Sequence, residues 1–381
     1  MSTVGKILEN LNEPLFIQKM RIEALKEAGH LPRHELQYGL GIFARARESE
    51  PDVVFETNPV KYEFTKAEGV QALSWKDAQG LTLLEKYFTP ERFPVLKNYY
   101  FASALSSFSS GLVIIADEGA TATLSLDSVI QKSGADFVFV VARNGSSLRI
   151  IDTLHGGSAL FARTMYVVAE EGADMEILSS QNLPHESSLF LNKFSAIERG
   201  GKVSWIDAHF GGGFVKSDIE DFLLGEGAES HIQNITLAGN QNFDFYNASH
   251  HKAPHTVSQI SARGIAGGGG KIIYRGLVDI DENCPGSRGT QTGRFLLASS
   301  GAEIDAIPSL DIRSPEVTSS HAFSISHLKD SDFFYPALRG VEPYRAQAML
   351  FEGFLSHDIL NENILSLIRK KLSSQIYEIS N

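Results

Sequence analysis

The chain has 381 residues, of which 43% are hydrophobic and 21% are charged, a composition typical of a folded globular protein. A formal net charge of −12 argues against nucleic acid and anionic membranes as partners, because both are usually bound by a basic face. No stretch has the pattern of a secretory signal, and none contains the roughly 20 apolar residues of a transmembrane helix. We therefore expect a cytoplasmic protein.

The N-terminal region, residues 1–98, is predicted to be mainly helical. Residues 5–48 carry leucines and other apolar residues at mixed helical spacings, and Pro32 interrupts the pattern, which predicts a short helical hairpin. The following stretch is mixed, with a helix-like segment at residues 81–87.

Residues 99–335 are predicted to be all-β, because short apolar or alternating runs follow one another between Gly, Asn, Ser and Asp. The clearest strand is 120–127, in which Ala and Leu alternate with Thr, Ser and Asp, so that one face is apolar. Further strand-like runs lie at 137–142, 148–153, 164–169, 203–208, 231–237 and 271–278.

Four turn glycines share a spacing of 14 residues, with Ala253-Pro254 at the position where a fifth would fall: Gly211, Gly225, Gly239 and Gly267. This spacing indicates a repeating coil. Regular short strands suit a sandwich, a barrel or a parallel β-helix, and a β-helix accommodates the length of this region most naturally.

The C-terminal region, residues 336–381, is predicted to be helical. Glu342-Pro343 is typical of a helix start, since proline is tolerated in the first turn. A second helix is predicted from the apolar residues that share one face: Ile364, Leu367, Ile368 and Leu372.

The only cysteine is Cys284, which excludes an internal disulfide and any cluster or zinc site held by several cysteines of this chain. Turn residues surround it, so we expect it near the surface, and its role stays open. His250, His251 and His255 could supply imidazole ligands, but Pro254 argues against a helical ligand pair and favours a polar loop.

The glycine-rich stretch 264–272 lacks the pattern of a phosphate-binding loop, because Ile265 and Ile272 occupy the positions of an essential Gly and of Ser or Thr. Ser320 and His321 do not indicate a hydrolase, since adjacent residues on a strand point to opposite sides.

A series of sequence blocks covers the last third of the chain: 257–264 (VSQISARG), 274–277 (YRGL), 291–312 (QTGRFLLASSGAEIDAIPSLDI), 317–321 (VTSSH), 333–335 (FFY), 339–340 (RG) and 346–354 (AQAMLFEGF). In order and spacing these blocks resemble the SufB/SufD family of iron–sulfur cluster assembly proteins, and the likeness is greatest to SufD. Weaker similarity extends upstream to 98–126 and 21–38.

The resemblance implies a right-handed parallel β-helix with helical N-terminal and C-terminal regions. It also implies a non-enzymatic scaffold that pairs with a SufB-type paralogue through the β-helix and binds the ABC-type ATPase SufC through its C-terminal region. The residues that match the family's SufC-docking stretch are Arg339, Gly340, Glu342, Ala346, Leu350 and Phe354.

Cysteine chemistry separates the two paralogues, because cluster assembly needs thiolates. SufB-type proteins carry a cysteine about where this chain has Gly293. His321 matches a histidine that SufD offers opposite the SufB cysteine, and Ser319 stands where SufD usually has its own cysteine. The resemblance therefore implies that His321 is a candidate ligand of iron or of a transient cluster at the interface, and that this chain alone binds no cofactor stably.

Two alternatives remain open at this point. The protein could be a cytosolic carbohydrate-acting enzyme built on a β-helix, with Asp305 and Asp311 as its paired acids. It could also be a self-pairing homodimer that works without a SufB-type partner.

Overall fold

The computed structural model describes residues 13–31, 35–37, 43–45, 56–78, 82–89, 98–357 and 362–380. Its N-terminal part contains the elements α1 (Leu15–Ala28), β1 (Glu35–Gln37), β2 (Phe43–Arg45), β3 (Val60–Phe64), β4 (Val70–Ser74), α2 (Trp75–Ala78), α3 (Thr82–Tyr87) and α4 (Tyr99–Ser107). Three helices end the described chain: α5 (Asp330–Leu338), α6 (Pro343–Ser356) and α7 (Glu362–Ser380).

Sixteen consecutive strands lie between α4 and α5. They are β5 (Ser110–Ala116), β6 (Thr121–Ile130), β7 (Gly134–Ala142), β8 (Ser147–Gly156), β9 (Leu160–Ala169), β10 (Asp174–Gln181), β11 (Ser188–Ile197), β12 (Lys202–His209), β13 (Phe214–Leu223), β14 (Glu229–Ala238), β15 (Asn242–His251), β16 (Val257–Ala266), β17 (Lys271–Ile280), β18 (Arg288–Leu297), β19 (Glu303–Ile312) and β20 (Thr318–His327).

These strands form a β-helix of about eight turns, because they alternate between two parallel sheets. Sheet 1 has the order β20-β18-β16-β14-β12-β10-β8-β6-β3, and sheet 2 has the order β19-β17-β15-β13-β11-β9-β7-β5-β4. Only the first strand of each sheet, β3 and β4, pairs antiparallel with its neighbour. The predicted β-helix is therefore confirmed.

One coil takes about 28 residues, since Asp174 of β10 pairs with Lys202 of β12 in the next coil. The predicted 14-residue spacing is thus half a coil, and its four glycines all lie between strands. The fit at these corners is close: a Cβ on Gly225 would lie 2.1 Å from the backbone nitrogen of Arg199 in the preceding coil.

A second turn position, at the corners that follow the sheet 2 strands from β5 to β17, adopts a left-handed backbone. It is occupied by Gly119, Gly145, Gly172, Gly200, Gly227, His255 and Gly286, all with φ between 58° and 73°. Each stacks on the next coil, as when the Gly145 N–H donates to the carbonyl of Glu171 at 2.9 Å. Glycine suits this position because it has no Cβ to clash, so His255 is the exception.

The main core fills the space between the two sheets with inward-facing Val, Ile, Leu and Phe side chains. Helices cover the outer faces. On sheet 2, residues of α1 and α4 such as Ile17 and Phe101 pack with aromatic residues such as Phe139. On sheet 1, Phe351 of α6 and Ile368 of α7 pack over strands β10 to β18. No helix in the described part of the chain has the length and hydrophobicity needed to cross a bilayer.

The interior also holds charged groups in matched sets. Arg163 contacts Asp136 at 2.7 Å and Asp152 at 3.0 Å, and all three are buried. On the next strand of sheet 2, one coil further on, Lys193 contacts Asp207 at 2.6 Å. Buried charges of this kind are tolerated because each cation faces a carboxylate.

Several predicted boundaries are wrong. Residues 35–37 and 43–45 pair as antiparallel strands where a second helix was predicted, in a segment whose Pro32, Gly39 and Gly41 disfavour a helix. Residues 5–12, 32–34, 38–42 and 46–48 of that prediction lie outside the described residues. Tyr99–Ser107 is helical because Asn98 caps it, accepting hydrogen bonds from the N–H groups of Tyr100 and Phe101. The helix α5 also lies within the region predicted to be β. The helices predicted at 81–87, after Glu342 and around Ile364 are confirmed.

Candidate functional site

The β-helix ends at β19 and β20, the last strands of sheet 2 and sheet 1. In the described part of the chain no further strand pairs with their outer edges. Such edges carry backbone N–H and C=O groups that can pair with another chain. Large apolar side chains are exposed here as well: Leu310 at 36%, Ile312 at 37% and Ile325 at 43%.

His321 lies in the middle of β20 and is exposed. It continues a column of side chains that lie one above another in sheet 1, because parallel strands in register place paired residues on the same face. The column runs through Trp205, Ile232, Ile260, Gln291 and His321. Its first three members belong to the main core, so His321 occupies an inward-facing position of the last coil. No further coil lies over this position in the described part of the chain.

Gln291 closes the interior beneath His321. Its side chain is 1% exposed, and its Nε2 donates to the carbonyl oxygen of Ser309 on β19 at 2.6 Å. Gly276 makes room for it, since a Cβ at that position would lie 2.2 Å from the Gln291 Oε1. His321 therefore lies directly above Gln291, a polar side chain that links sheet 1 to sheet 2 through its hydrogen bond to Ser309.

Gly293, at the position where SufB-type proteins carry a cysteine, has no space for a side chain. A Cβ on Gly293 would lie 2.3 Å from the ring of Phe323. The Phe323 ring also contacts Tyr274, with centroids 5.6 Å apart. Phe323 thus fills the volume that a thiol at residue 293 would need.

The described residues contain no group of three or more His, Cys, Asp or Glu side chains that could hold a metal ion. Neutral imidazole is a good ligand for iron, whereas iron–sulfur clusters are held mostly by thiolates. Ser319, two residues before His321, brings a hydroxyl. At this position of the open end, the described residues therefore present one imidazole and one hydroxyl as possible ligands.

The expectation that Cys284 lies near the surface is wrong. Its side chain is buried, and its Sγ donates to the carbonyl oxygen of His251 at 3.3 Å. Burial raises the pKa of the Cys284 thiol, so the reactive thiolate is disfavoured. The cause is coil stacking, which places the turn around residue 284 against the preceding one.

The three clustered histidines point in different directions. His250 lies between two carboxylates, with Nδ1 at 2.9 Å from Asp279 and Nε2 at 3.2 Å from Glu220. Burial lowers the pKa of His250, but these two hydrogen bonds outweigh it and raise the pKa above the usual value. His251 faces inward, and burial lowers its pKa to about 4. His255 lies in the exposed turn, so the three rings do not form one site.

The glycine-rich stretch is the corner between β16 and β17. A strand follows it, so no helix N-terminus is available for a phosphate there. Lys271 contacts Glu303 at 2.7 Å. These observations agree with the prediction that residues 264–272 do not form a phosphate-binding loop.

The residues predicted to dock SufC divide into two groups. Arg339, Gly340 and Glu342 are exposed in the connection between α5 and α6. Ala346 is buried, and Leu350 and Phe354 are partly buried. The Phe354 side chain packs against the apolar cluster that covers sheet 1, and the guanidinium of Arg263 on β16 lies 5.9 Å from its ring centroid.

Sequence reasoning missed a group of large apolar residues on the outer side of α5 and α6. They are Phe334 (66% exposed), Tyr335 (64%), Leu338 (67%), Tyr344 (54%) and Met349 (56%). The available signal was that both helices carry apolar residues on more than one face, beyond what one buried stripe requires. We refer to these five residues as the outer helical surface.

Comparison with known proteins agrees with this architecture. The family described as "SUF system FeS cluster assembly, SufBD core domain" matches residues 128–354. An iron–sulfur cluster assembly SufBD family protein of Staphylococcus aureus (strain MRSA252) is 23% identical over 340 residues, covering 85% of this chain and 71% of its own. A SufBD family protein of Mycobacterium tuberculosis (strain ATCC 25618 / H37Rv) is 28% identical over 203 residues, covering 53% of this chain and 24% of its own.

The family match extends over more than half of the chain and contains the strands from β7 to β20, the column that ends in His321, and most of α6. The chain therefore belongs to the SufBD core-domain family of the SUF iron–sulfur cluster assembly system.

Proposed function

We propose that this protein is a non-enzymatic, SufD-type scaffold subunit of a cytoplasmic SUF complex. It pairs with a SufB-type paralogue through the open end of its β-helix, and it binds a SufC-type ATPase through α5 and α6. A transient iron–sulfur cluster lies at the interface with the paralogue, and ATP hydrolysis belongs to the ATPase.

The observation that carries the proposal is the position of His321. It is the exposed end of an otherwise buried column, and it lies on a strand whose outer edge is available for pairing. Leu310, Ile312 and Ile325 add apolar area beside it, which another chain would remove from water. A partner seated there would bring its own ligands next to the imidazole.

The SufD-type assignment rests on the lack of a thiol among the described residues at the open end of the β-helix. Phe323 fills the space beside Gly293, and the one thiol of the chain, Cys284, is buried in the turn between β17 and β18, where burial raises its pKa. Thiolate ligands therefore have to come from the partner, which makes the partner SufB-like and this chain the imidazole donor.

The outer helical surface supports the second contact. Its five side chains are more than half exposed and lie on adjacent helices, with Arg339 between them donating to the Tyr335 hydroxyl at 2.9 Å. Several large apolar side chains exposed on neighbouring helices are typical of a protein–protein interface.

The test is co-expression of this chain with a SufB-type and a SufC-type protein. The proposal expects a stable three-component complex after size-exclusion chromatography. A chain that remains a homodimer in the presence of both candidates, with unchanged native mass, would support the self-pairing alternative instead.

The carbohydrate-enzyme alternative is weakened by spacing. Asp305 and Asp311 lie six residues apart on β19, which separates them by roughly 20 Å at about 3.3 Å per residue. Paired glycosidase carboxyl groups lie roughly 5–10 Å apart, so these two acids do not fit that chemistry.

A further inference from the structure

A small cavity lies in the interior of the β-helix, between strands β8, β10 and β12 of sheet 1 and strands β9 and β11 of sheet 2. Its volume is about 10 Å³, which is close to the smallest space that holds one water molecule. Nine of its ten lining residues are buried, and seven of those nine carry polar side chains. The cavity is therefore a polar space inside the protein, with room for one very small ligand.

His209, one of the lining residues, has a ring nitrogen without a hydrogen-bond partner. Its side chain is 0% exposed, and its Nε2 lies 2.8 Å from the Oδ2 of Asp207. The Nε2 carries the hydrogen of this bond, because a carboxylate oxygen can only accept. The Nδ1 is buried and has no hydrogen-bond partner among the described residues. Buried polar atoms are almost always paired, so the ring lacks one bond that a small ligand in the cavity can supply.

Two further lining residues have hydrogen-bonding capacity to spare. The Lys193 side chain is 1% exposed, and the Oδ1 of Asp207, at 2.6 Å, is the one acceptor that its ammonium finds among the described residues. An ammonium has three N–H donors, so two of them have no acceptor in that part of the chain. Asp152 accepts from Arg163 at 3.0 Å and from Ser179 at 3.3 Å, which leaves about two of its four acceptor positions. The lining thus offers donors and acceptors together.

We infer that this cavity is a binding site for one ordered water molecule, held by the His209 Nδ1, the Lys193 ammonium and the Asp152 carboxylate. Water suits the lining because it both donates and accepts, and three bonds are typical of a buried water. A metal cation would lie beside the Lys193 ammonium, and an oxyanion is too large for about 10 Å³. The water joins the Arg163–Asp152 and Lys193–Asp207 ion pairs into one buried network. The site lies away from β19, β20 and the outer helical surface, so it does not depend on the proposed function.

The chain contains a matched internal control. His251 is also 0% exposed, but both of its ring nitrogens have partners. Its Nδ1 lies 2.7 Å from the Thr256 hydroxyl, and its Nε2 lies 2.8 Å from the Ser258 hydroxyl. We therefore expect no water at the His251 ring. The variant His209→Phe keeps an aromatic ring in the cavity wall and removes both ring nitrogens.

The experiment is crystallographic, on the full chain, at a resolution that shows ordered water molecules. The inference expects one electron-density peak in the cavity, at about 2.7–3.2 Å from the His209 Nδ1 and from the Lys193 Nζ, and none at the His251 ring. The peak should be lost in crystals of His209→Phe. A wild-type map without density in the cavity, a peak with the anomalous signal of a heavier ion, or a peak that persists unchanged in His209→Phe would each overturn the inference. The wild-type map decides the question even if the variant does not fold.

Discussion

The carbonyl oxygen of Ile379, at the end of α7, lies against Gly267 at the corner between β16 and β17. A Cβ on residue 267 would be 2.0 Å from that oxygen, a distance that no side chain tolerates. The glycine-rich stretch between β16 and β17 is therefore a place where the C-terminal helix packs closely on the β-helix.

Replacing Gly267 should loosen α7. We expect Gly267→Ala to push the end of the helix away, to speed hydrogen exchange in α7 and to destabilise the fold by about 1–3 kcal/mol, the usual cost of overpacking. Gly269→Ala is the control, since its Cβ would find only the Asn240 Oδ1, at 3.5 Å. Equal exchange in the two variants would show that the close approach at residue 267 has no mechanical role.

Removing the charge of Asp207 should be costly. Its carboxylate contacts Lys193 at 2.6 Å and His209 at 2.8 Å, all buried. Asp207→Asn would leave the Lys193 ammonium without its counter-charge, and we expect a loss of about 3–5 kcal/mol in unfolding free energy. Denaturant titration measures this loss, and Lys193→Met with Asp207→Leu should recover much of it. A neutral effect of the single variant would contradict the argument.

The same carboxylate predicts a pH dependence. Burial raises the pKa of Asp207, but His209 and Lys193 outweigh burial and hold the pKa well below its usual range. The folded state then binds the proton less tightly than the unfolded state. The stabilisation by the Asp207 carboxylate is fully present above the pKa of an unfolded carboxyl group, about 4. It is lost as pH falls toward the lower pKa of the folded state. Unfolding free energies measured from about pH 7 down to about pH 3 should begin to show this decline in the wild type. The decline should be smaller in Asp207→Asn.

Asp221 should behave in the opposite way. It is buried without a cation in hydrogen-bond contact, and accepts bonds from Ser195 (2.5 Å), Ser230 (2.6 Å) and Trp205 (2.9 Å). Burial outweighs these donors and raises its pKa, so its contribution is full below the unfolded pKa and is lost as pH rises through the folded pKa. Asp221→Asn keeps the shape and can donate to Ser230. We expect it to be more stable than wild type at neutral pH, because the variant removes the cost of ionising a buried carboxyl group.

Comparing Asp207→Asn with Asp221→Asn tests whether the two carboxylates have opposite effects on stability at neutral pH. Thermal unfolding at neutral pH should rank Asp221→Asn above wild type and Asp207→Asn below it. If both substitutions lower Tm by similar amounts, the distinction between a paired and an unpaired buried carboxylate does not hold.

The strands of this fold could be predicted from the sequence because most alternate, as residues 121–130 do with their outer Thr and Ser and inner Leu. The two-sheet stacking was harder to predict. Strands β7 and β11 are buried on both faces, so their patterns do not show which side faces the interior. Arg163 and Lys193 read as surface residues in the sequence, and only their carboxylate partners in neighbouring strands make their burial intelligible.

The open end of the β-helix was identified only through family resemblance. No local sequence signal marks His321, because its place in the site comes from a column of residues that lie 27 to 31 positions apart in the chain. The left-handed turn glycines repeat at a similar spacing and offered a sequence signal for the coil length. The burial of Cys284 could not be foreseen, since turn residues are usually exposed and here the turns stack on one another.

The outer helical surface should govern binding of the ATPase. Phe334→Ser with Leu338→Ser removes two side chains that are 66% and 67% exposed, and we expect at least about tenfold weaker binding of a SufC-type protein with an unchanged Tm. Phe354→Ala is the contrasting variant, because this residue packs toward the β-helix and should lower Tm instead. Binding is measured by surface plasmon resonance. Unchanged affinity in the double serine variant would remove this surface from the interface.

The most direct test of the proposed role is the rate of cluster assembly by the reconstituted three-subunit complex carrying His321→Ala. His327→Ala is the matched control, because it changes an exposed histidine on the same strand, about 20 Å further along. We predict that the His321→Ala chain still forms the three-subunit complex but that clusters, measured by their visible absorption, form far more slowly than in wild type. The His327→Ala complex should form clusters at the wild-type rate. Wild-type cluster formation in the His321→Ala complex would contradict the proposal that this imidazole serves the site.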